Sequence, residues 1–153
     1  MGQIGLVRAG SAMTDIVSKK RRSVIMSRIV SRNTRPEVRV RSVLHRMGFR
    51  FRLCRKDLPG KPDIVLPRWR AIIFVHGCFW HGHKNCKAAK LPTTNTSFWK
   101  KKIESNFDRD KKIAFALRGM GWSVITVWQC QISNQKKVVT AMTKLLTKLK
   151  SNR

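Results

Sequence analysis

The sequence predicts an α/β domain in which helices flank a mixed β-sheet. Short apolar runs bounded by turn residues indicate strands, whereas longer segments with apolar residues every three or four positions indicate amphipathic helices. These segments follow one another in the order helix, strand, strand, strand, helix, strand, helix. The chain has 153 residues, and we expect a loose extension over residues 1–18 followed by a single domain over residues 19–150.

The first helix is predicted between Thr34 and Gly48. The threonine hydroxyl and the side chain of Glu37 can each satisfy a free backbone donor at the helix start. Apolar residues then recur at helical spacing until the glycine. Residues 49–53 alternate between apolar and basic side chains, which predicts a strand with one basic face.

Three strands and two helices are predicted in the rest of the chain. Residues 63–66 and 71–75 are apolar runs joined by a turn, and the second run is apolar on both faces, which indicates a central strand. Residues 98–117 have helical spacing and end before two glycines, and residues 122–128 read as a strand. Apolar residues between 138 and 149 predict a final amphipathic helix.

Basic residues dominate the charge of the chain. Lys and Arg number 34 against 7 Asp and Glu, which gives a formal net charge of +27. A polyanion is therefore the expected partner. An anionic membrane surface could satisfy this charge, but the basic residues are spread along the chain and form no block beside an apolar anchor, which favours nucleic acid.

The cysteines and the apolar segments indicate the compartment. Four cysteines are too few for a disulfide scaffold in a chain of this size, and two of them sit among histidines, which favours metal binding over bridging. Cys54 has no nearby histidine and is expected to be a free thiol. The sequence shows no signal-peptide core and no apolar window of membrane-spanning length. We therefore expect a cytoplasmic, nucleoid-associated protein.

A loop rich in cysteine and histidine follows the predicted central strand. Cys78, His83 and Cys86 lie close enough in sequence to bind one ion, and Cys130 could complete a tetrahedron if the strand before it runs near the loop. Such a Cys3His set is typical of structural zinc. His81 could replace His83 by spacing alone. Residues two apart in an extended loop point to opposite sides, so only one of the pair should face the ion.

A carboxylate and two histidines suggest a catalytic centre near this loop. Asp63 begins one predicted strand, beside the neighbouring strand that delivers His76 and His81. Mg²⁺ takes oxygen ligands, usually one or two carboxylates with water and substrate phosphate, and His81 could deprotonate an attacking water. The pattern alone leaves alternatives open, because a Pro-Asp pair is most often a turn and a histidine can simply be hydrogen-bonded to backbone.

Several motifs resemble those of the very-short-patch repair (Vsr) endonucleases. They lie within residues 19–132 and read Pro59-Gly60-Lys61-Pro62-Asp63, Phe74-Val75-His76-Gly77-Cys78-Phe79-Trp80-His81, Phe98-Trp99, Asp108-Arg109-Asp110 and Gly121-Trp122-Ser123-Val124-Ile125-Thr126-Val127-Trp128-Gln129-Cys130. The resemblance implies a restriction-endonuclease-like fold and a Mg²⁺-dependent enzyme that nicks one DNA strand 5′ to the thymine of a T:G mismatch, the product of 5-methylcytosine deamination. It also implies an association with a cytosine-5 methyltransferase system and with a MutL-type repair protein.

The resemblance implies roles for residues around the predicted catalytic centre. Asp63 corresponds to the metal-binding aspartate, and the backbone carbonyl of Val75 corresponds to a second Mg²⁺ contact. His81 is similar to the general base, and His76 to a histidine near the scissile phosphate. Glu37 corresponds to a glutamate that orients water at the metal, a role compatible with its position at the helix start.

The resemblance also implies that Cys78, His83, Cys86 and Cys130 bind a structural Zn²⁺, in agreement with their spacing. This chain departs from the family pattern because Lys84-Asn85 makes the segment before Cys86 one residue longer. The loop that closes the zinc site is therefore expected to be slightly altered.

Aromatic residues near the loop are expected to contact DNA. The resemblance implies intercalation by Phe79, Trp80 and Trp99, and entry from the minor groove by an N-terminal segment that contains Met26 and Ile29. Such aromatics usually pack in a core, but two adjacent ones within a polar loop are hard to bury together. The basic segment around Met26 could equally be a solvated arm.

Two other functions stay open from the residues alone. A non-catalytic zinc module that binds nucleic acid would need only the charge and the Cys3His set, and it would have no use for Asp63 beside His81. A nuclease of the same fold could act on ordinary duplex DNA or on RNA. Because a nick on one strand needs one active centre, a monomer is expected.

Overall fold

A computed structural model describes Arg21, Val24 and residues 33–151 of the chain, with only the backbone described at Lys150. Three main helices and three strands lie between residues 33 and 151, and their bounds in chain order are α1 Arg35–Arg46, β1 Ile64–Leu66, β2 Ala71–His76, α2 Thr96–Gly119, β3 Ser123–Trp128 and α3 Gln135–Ser151. These elements belong to one unit, Ser31–Arg153. The predicted boundary after residue 18 lies outside the described residues. In the described part of the chain, no helix combines the length and the apolar character needed to cross a membrane.

The three strands form one mixed sheet in the order β1-β2-β3. β1 pairs antiparallel with β2, with Ile64 opposite Ile73, and β2 pairs parallel with β3, with Ile73 opposite Ile125. The predicted mixed α/β class is thus confirmed, with β2 as the central strand. Since β2 and β3 are parallel, their carboxyl ends reach the same edge of the sheet.

The predicted strand at residues 49–53 is wrong except for one bridge. Arg52 pairs antiparallel with Val65, and the two residues exchange backbone hydrogen bonds of 2.8 and 2.9 Å. β1 has three residues, so it offers a partner little length to pair with. Cys54 then adopts a left-handed backbone conformation with φ of 55°, which turns the chain away from the sheet.

Helices cover both faces of the sheet. α1 and α3 pack on one face through a cluster of buried side chains that includes Val40, Val43, Leu44, Ile64, Leu66, Ile73, Val138, Met142 and Leu146. The other face buries a smaller cluster made of Leu58, Val65, Ile72 and Leu117, the last of these on α2. Each such side chain contributes roughly 1.5–3 kcal/mol when it leaves water. Burial of both Ile72 and Ile73 confirms that the central strand is apolar on both faces.

A close approach joins α2 to the loop before β1. Gly60 has φ of +74°, and a Cβ at this position would lie 2.5 Å from Cγ2 of Ile113. Only glycine therefore fits between this loop and the helix. The loop leads directly into Asp63, the residue before β1, so the contact helps to fix the position of that carboxylate.

We expect Gly60→Ala to destabilise the fold more than Gly48→Ala. Both glycines have positive φ, but a Cβ at Gly48 meets nothing within 4 Å. In Gly48→Ala, the control, the free energy of unfolding should fall by about 1–2 kcal/mol, because alanine is strained at positive φ. In Gly60→Ala it should fall by roughly 1–3 kcal/mol more, because the added Cβ overlaps Ile113. Urea unfolding of the two variants measures the difference. Equal losses would show that the loop is not pressed against α2.

Candidate active site and metal centre

The parallel pairing of β2 and β3 brings two distant parts of the chain together. His76 ends β2 opposite Trp128, which ends β3. The cysteine- and histidine-rich loop follows the first of these residues, and a short 3-10 helix, Gln129–Ile132, follows the second. The strand ends therefore bring Cys130 next to a loop that lies about fifty residues earlier in the chain.

Four side chains at this edge are arranged as metal ligands. The ligand atoms of Cys78, His83, Cys86 and Cys130 all lie within 4.8 Å of one another. Sγ of Cys130 is 3.4 Å from Nδ1 of His83. In a tetrahedral zinc site with Zn–S bonds of about 2.3 Å, the ligand atoms lie roughly 3.8 Å apart. The cluster could therefore hold one metal ion with little rearrangement.

The surroundings of two thiols in this cluster shift their pKa values in opposite directions. Burial raises the pKa of Cys78 to about 11, so this thiol holds its proton until a cation replaces it. At Cys86 desolvation acts in the same direction, but the backbone N–H of Ala88 and hydrogen bonds from the thiols of Cys78 and Cys130 lower the pKa overall. Asn85, in the longer segment before Cys86, has φ of 56°, a left-handed conformation that asparagine tolerates. The extra residue is thus accommodated and Cys86 still joins the cluster.

We expect Cys130→Ser to lose the metal ion bound by this cluster. A serine hydroxyl is a poor ligand compared with a thiolate, and the three remaining ligands no longer close the site. Cys54→Ser is the matched control, because Cys54 is an exposed free thiol. Metal content per chain, measured by mass spectrometry of the purified proteins, should fall only in the first variant. An unchanged metal content in Cys130→Ser would rule out this ligand set.

A second cluster lies beside the first and contains His76, His81 and Asp110, with ligand atoms within 4.8 Å of one another. The two imidazole rings stack at 3.8 Å with an interplanar angle of 10°. Nδ1 of His81 is 2.5 Å from Oδ2 of Asp110. The alternative in which His81 replaces His83 at the thiol cluster is therefore wrong, because the two histidines face different clusters.

Electrostatics distinguish the two stacked histidines. Burial, followed by the proximity of His81, lowers the pKa of His76 to about 4, so this ring is neutral near pH 7. When Nδ1–H of His81 donates to Asp110, its Nε2 keeps a lone pair. This is the arrangement that a general base requires.

Asp110 is a site residue that the sequence analysis did not assign. It belongs to the Asp108-Arg109-Asp110 motif, and its other carboxylate oxygen accepts a hydrogen bond of 3.1 Å from Arg109. The sequence feature that could have identified it is its position in the helical repeat. Asp110 follows Asn106 by one turn and precedes the buried Leu117 by two, so it lies on the inner face of α2.

The inner face of α2 holds the loop that carries His81. Nδ2 of Asn106 donates a hydrogen bond of 2.9 Å to the carbonyl of Trp80. A Cβ at Gly82 would lie 2.8 Å from Cγ2 of Ile103, so the loop backbone touches the helix there. Together with Asp110, these contacts fix three consecutive loop residues against one helix.

Asp63 lies at the start of β1 and bonds to the neighbouring strand. Its Oδ2 accepts a hydrogen bond of 2.8 Å from the N–H of Val75. The N–H and C=O of a strand residue point to the same side, so the carbonyl of Val75 faces the side on which Asp63 lies. Burial raises the pKa of Asp63 to about 6, the Val75 N–H opposes this, and Glu37 raises the pKa further.

Glu37 is buried and fully hydrogen-bonded. It accepts the hydroxyl of Thr34 at 2.8 Å, the backbone N–H of Asn33 at 3.0 Å and a guanidinium nitrogen of Arg41 at 2.8 Å. The predicted cap is therefore only half correct. The glutamate does satisfy a backbone donor, but the threonine hydroxyl donates to the glutamate and makes no capping bond of its own.

The predicted intercalating aromatics form one cluster. Ring centroids of Phe79 and Trp80 are 5.2 Å apart, and each lies within 6 Å of Trp99. Phe79 and Trp80 are partly exposed, whereas Trp99 is 9% exposed. Phe98, which the sequence analysis assigned no role, is 60% exposed and packs against Trp99. Met26 and Ile29 lie outside the described residues.

Comparisons with known proteins identify the family. Residues 14–88 match the family model described as DNA mismatch endonuclease Vsr. The chain is 41% identical over 126 residues to the DNA mismatch endonuclease Vsr of Escherichia coli, covering 82% of this chain and 80% of that protein. It is 53% identical over 122 residues to a type II nicking enzyme of Xanthomonas oryzae pv. oryzae, covering 80% of this chain and 89% of that protein. A type II nicking enzyme of Neisseria meningitidis is 42% identical over 138 residues, covering 90% of this chain and 98% of that protein.

Fold, site and similarity together define a nuclease that acts on DNA phosphodiester bonds. The chain belongs to the Vsr family of DNA mismatch endonucleases. DNA is accordingly its substrate, in agreement with the formal net charge of +27. This membership favours an enzyme over the non-catalytic zinc module.

Proposed function

We propose that the protein nicks one strand of duplex DNA 5′ to the thymine of a T:G mismatch, the lesion that deamination of 5-methylcytosine leaves. The observation that carries the proposal is the hydrogen bond from His81 to Asp110 beside the stacked, neutral His76. This hydrogen bond would orient a base at the end of the sheet where Asp63 also lies. The DNA endonuclease family of the chain supports the same chemistry.

The donor set around Asp63 suits Mg²⁺. We infer that the carboxylate of Asp63 and the carbonyl of Val75 hold this ion, since both are oxygen ligands and the carboxylate is partly buried beside a second acid. When bound, Mg²⁺ would stabilise negative charge on the phosphoryl group and favour ionisation of the attacking water. Glu37 would orient that water through the carboxylate that its three hydrogen bonds fix in place.

His81 would act as the general base of the reaction. Its Nε2 takes a proton from the attacking water while Asp110 stabilises the imidazolium that forms. A bond forms between the water oxygen and phosphorus, and the bond from phosphorus to the 3′ oxygen breaks. The leaving oxygen takes a proton from solvent, which gives a 3′-hydroxyl and a 5′-phosphate. His76, close to the scissile phosphate, would donate a hydrogen bond to it as a neutral ring.

The thiol cluster would hold Zn²⁺ as a structural ion. Three thiolates and one imidazole fill a tetrahedron and leave no open position for substrate. The ion would tie the loop after β2 to the short helix after β3 and so hold the loop that carries His81.

Recognition of the mismatch would use aromatic wedges. Phe79, Trp80 and Trp99 would intercalate beside the mismatch, and Met26 with Ile29 would enter from the minor groove. Unstacking a base step costs a few kcal/mol, and this cost is smallest where pairing is already weakened, as at a T:G wobble.

The cellular setting follows from this substrate. We propose a monomer in the cytoplasm, associated with the nucleoid, that serves a cytosine-5 methyltransferase system whose sites generate the mismatch. A MutL-type repair protein is the proposed partner after the nick. A monomer is proposed because a nick on one strand needs only one active centre.

We expect His81→Ala to lower the nicking rate by about 10²–10⁴-fold, the usual contribution of a general base. Affinity for the T:G duplex and metal content should not change, because His81 lies outside the thiol cluster. His45→Ala is the matched control, since His45 is exposed at the end of α1. The assay incubates each protein with T:G and matched duplexes, with Mg²⁺ or with chelator, and separates strands on a denaturing gel.

Three outcomes of this assay contradict the proposal in different ways. Equal nicking of matched and mismatched duplexes would contradict the proposed specificity for T:G mismatches. Nicking in the presence of chelator would contradict the proposed requirement for Mg²⁺. Full activity of Asp63→Asn would put the metal site elsewhere in the protein.

We expect Asp110→Asn to lower the nicking rate by about 10²–10⁴-fold, because the amide can hold His81 in the wrong tautomer. Asp108→Asn is the control, since Asp108 is an exposed acid two residues earlier in α2. Single-turnover rates on the T:G duplex should separate the two variants. Similar rates in both would mean that Asp110 does not orient the base.

A further inference from the structure

Arg41 is a mostly buried cation near two acids of the site, the buried Glu37 and the partly buried Asp63. It lies one turn after Glu37 on α1, and only 14% of its side chain is exposed. One guanidinium nitrogen donates to Oε2 of Glu37 at 2.8 Å, and the other terminal nitrogen donates to Oδ1 of Asn33 at 2.6 Å. Its charge also acts on Asp63, whose pKa it lowers.

The third nitrogen of Arg41 has a different environment. Nε is buried without a hydrogen-bond partner, and it is the single side-chain nitrogen or oxygen of this kind among the residues that the structure describes. A buried donor without a partner costs free energy. The guanidinium therefore adopts an orientation that satisfies Glu37 and Asn33 at the expense of one of its own donors.

A purely stabilising ion pair does not account for this arrangement. Exposed pairs four residues apart on a helix contribute little, and a buried pair must offset the desolvation of both charges. Here the pair is mostly buried and leaves a donor unsatisfied. What the pair does achieve is a fixed Glu37 carboxylate, with a positive charge that offsets the repulsion between Glu37 and Asp63.

We propose that Arg41 is a positioning residue of the nicking centre, which holds the Glu37 carboxylate in its working orientation beside Asp63. This inference rests on the proposed function of Glu37. Arg41 acts through Glu37 and takes no part in bond making. Its effect on the reaction therefore depends on the presence of the glutamate carboxylate.

A double-mutant cycle tests this dependence. We expect Arg41→Met and Glu37→Gln each to lower the single-turnover nicking rate by roughly 10–100-fold, as displaced catalytic groups do. The double variant should be no slower than the slower single variant within about threefold, because coupled residues are not additive. Arg41→Lys keeps the positive charge but lacks the planar guanidinium that bonds to two partners at once, so it should recover part of the rate. Arg46→Met, at an exposed arginine on the same helix, should stay within about threefold of the unchanged protein.

A second variant keeps the test valid if Arg41→Met fails to fold. Asn33→Gly removes the other partner of the guanidinium and suits the left-handed backbone at this position, where φ is 55°. We expect a smaller loss of rate than in Arg41→Met, and no loss in the Glu37→Gln background. Metal content and duplex binding in chelator, measured for every variant, report whether the fold is intact.

Two results would overturn the role of Arg41. The first is multiplication of the two single effects in the double variant, and the second is an unchanged rate in Arg41→Met. Failure of the proposed function appears separately, as loss of preference for the T:G duplex in the unchanged protein. The cycle can then be measured on whichever duplex that protein nicks.

Discussion

The contact between α2 and the loop after β2 is the constraint on which the rest of the site depends. Asn106, Asp110 and the side chain of Ile103 bind three consecutive loop residues from one helical face. A loop this rich in glycine and polar residues has little core of its own to hold it. The helix supplies a rigid surface, and the imidazole of His81 is thereby fixed with its outer nitrogen free.

Two chemical environments meet within three residues of this loop. His81 faces the carboxylate of Asp110, and His83 faces the thiols and stacks on Trp128 at 4.1 Å. The expected extended loop is wrong here, because residues 78–82 form a turn. The left-handed backbone of Gly82, with φ of 61°, separates the two rings. Under the proposed mechanism, this division would let one short loop serve both a stabilising metal site and a proton-transfer site.

Sequence patterns predicted the elements of the fold and the thiol cluster, because periodicity and ligand spacing are local properties. They failed at residues 49–53, where alternation indicated a strand but gave no information about the short partner, β1. Asp110 escaped assignment because its partner His81 lies in a loop 29 residues away. The orientation of Arg41 was equally inaccessible, since it depends on contacts with Asn33 and Glu37 that only the folded helix start creates.

The central claim is that His83 binds the metal ion while His81 stays free for catalysis. X-ray absorption at the zinc edge measures the ligands of the bound ion directly, in the unchanged protein and in His81→Ala. The account predicts three sulfur neighbours and one nitrogen neighbour, with the same spectrum in both proteins. A second nitrogen neighbour, or a spectrum that changes in His81→Ala, would contradict it.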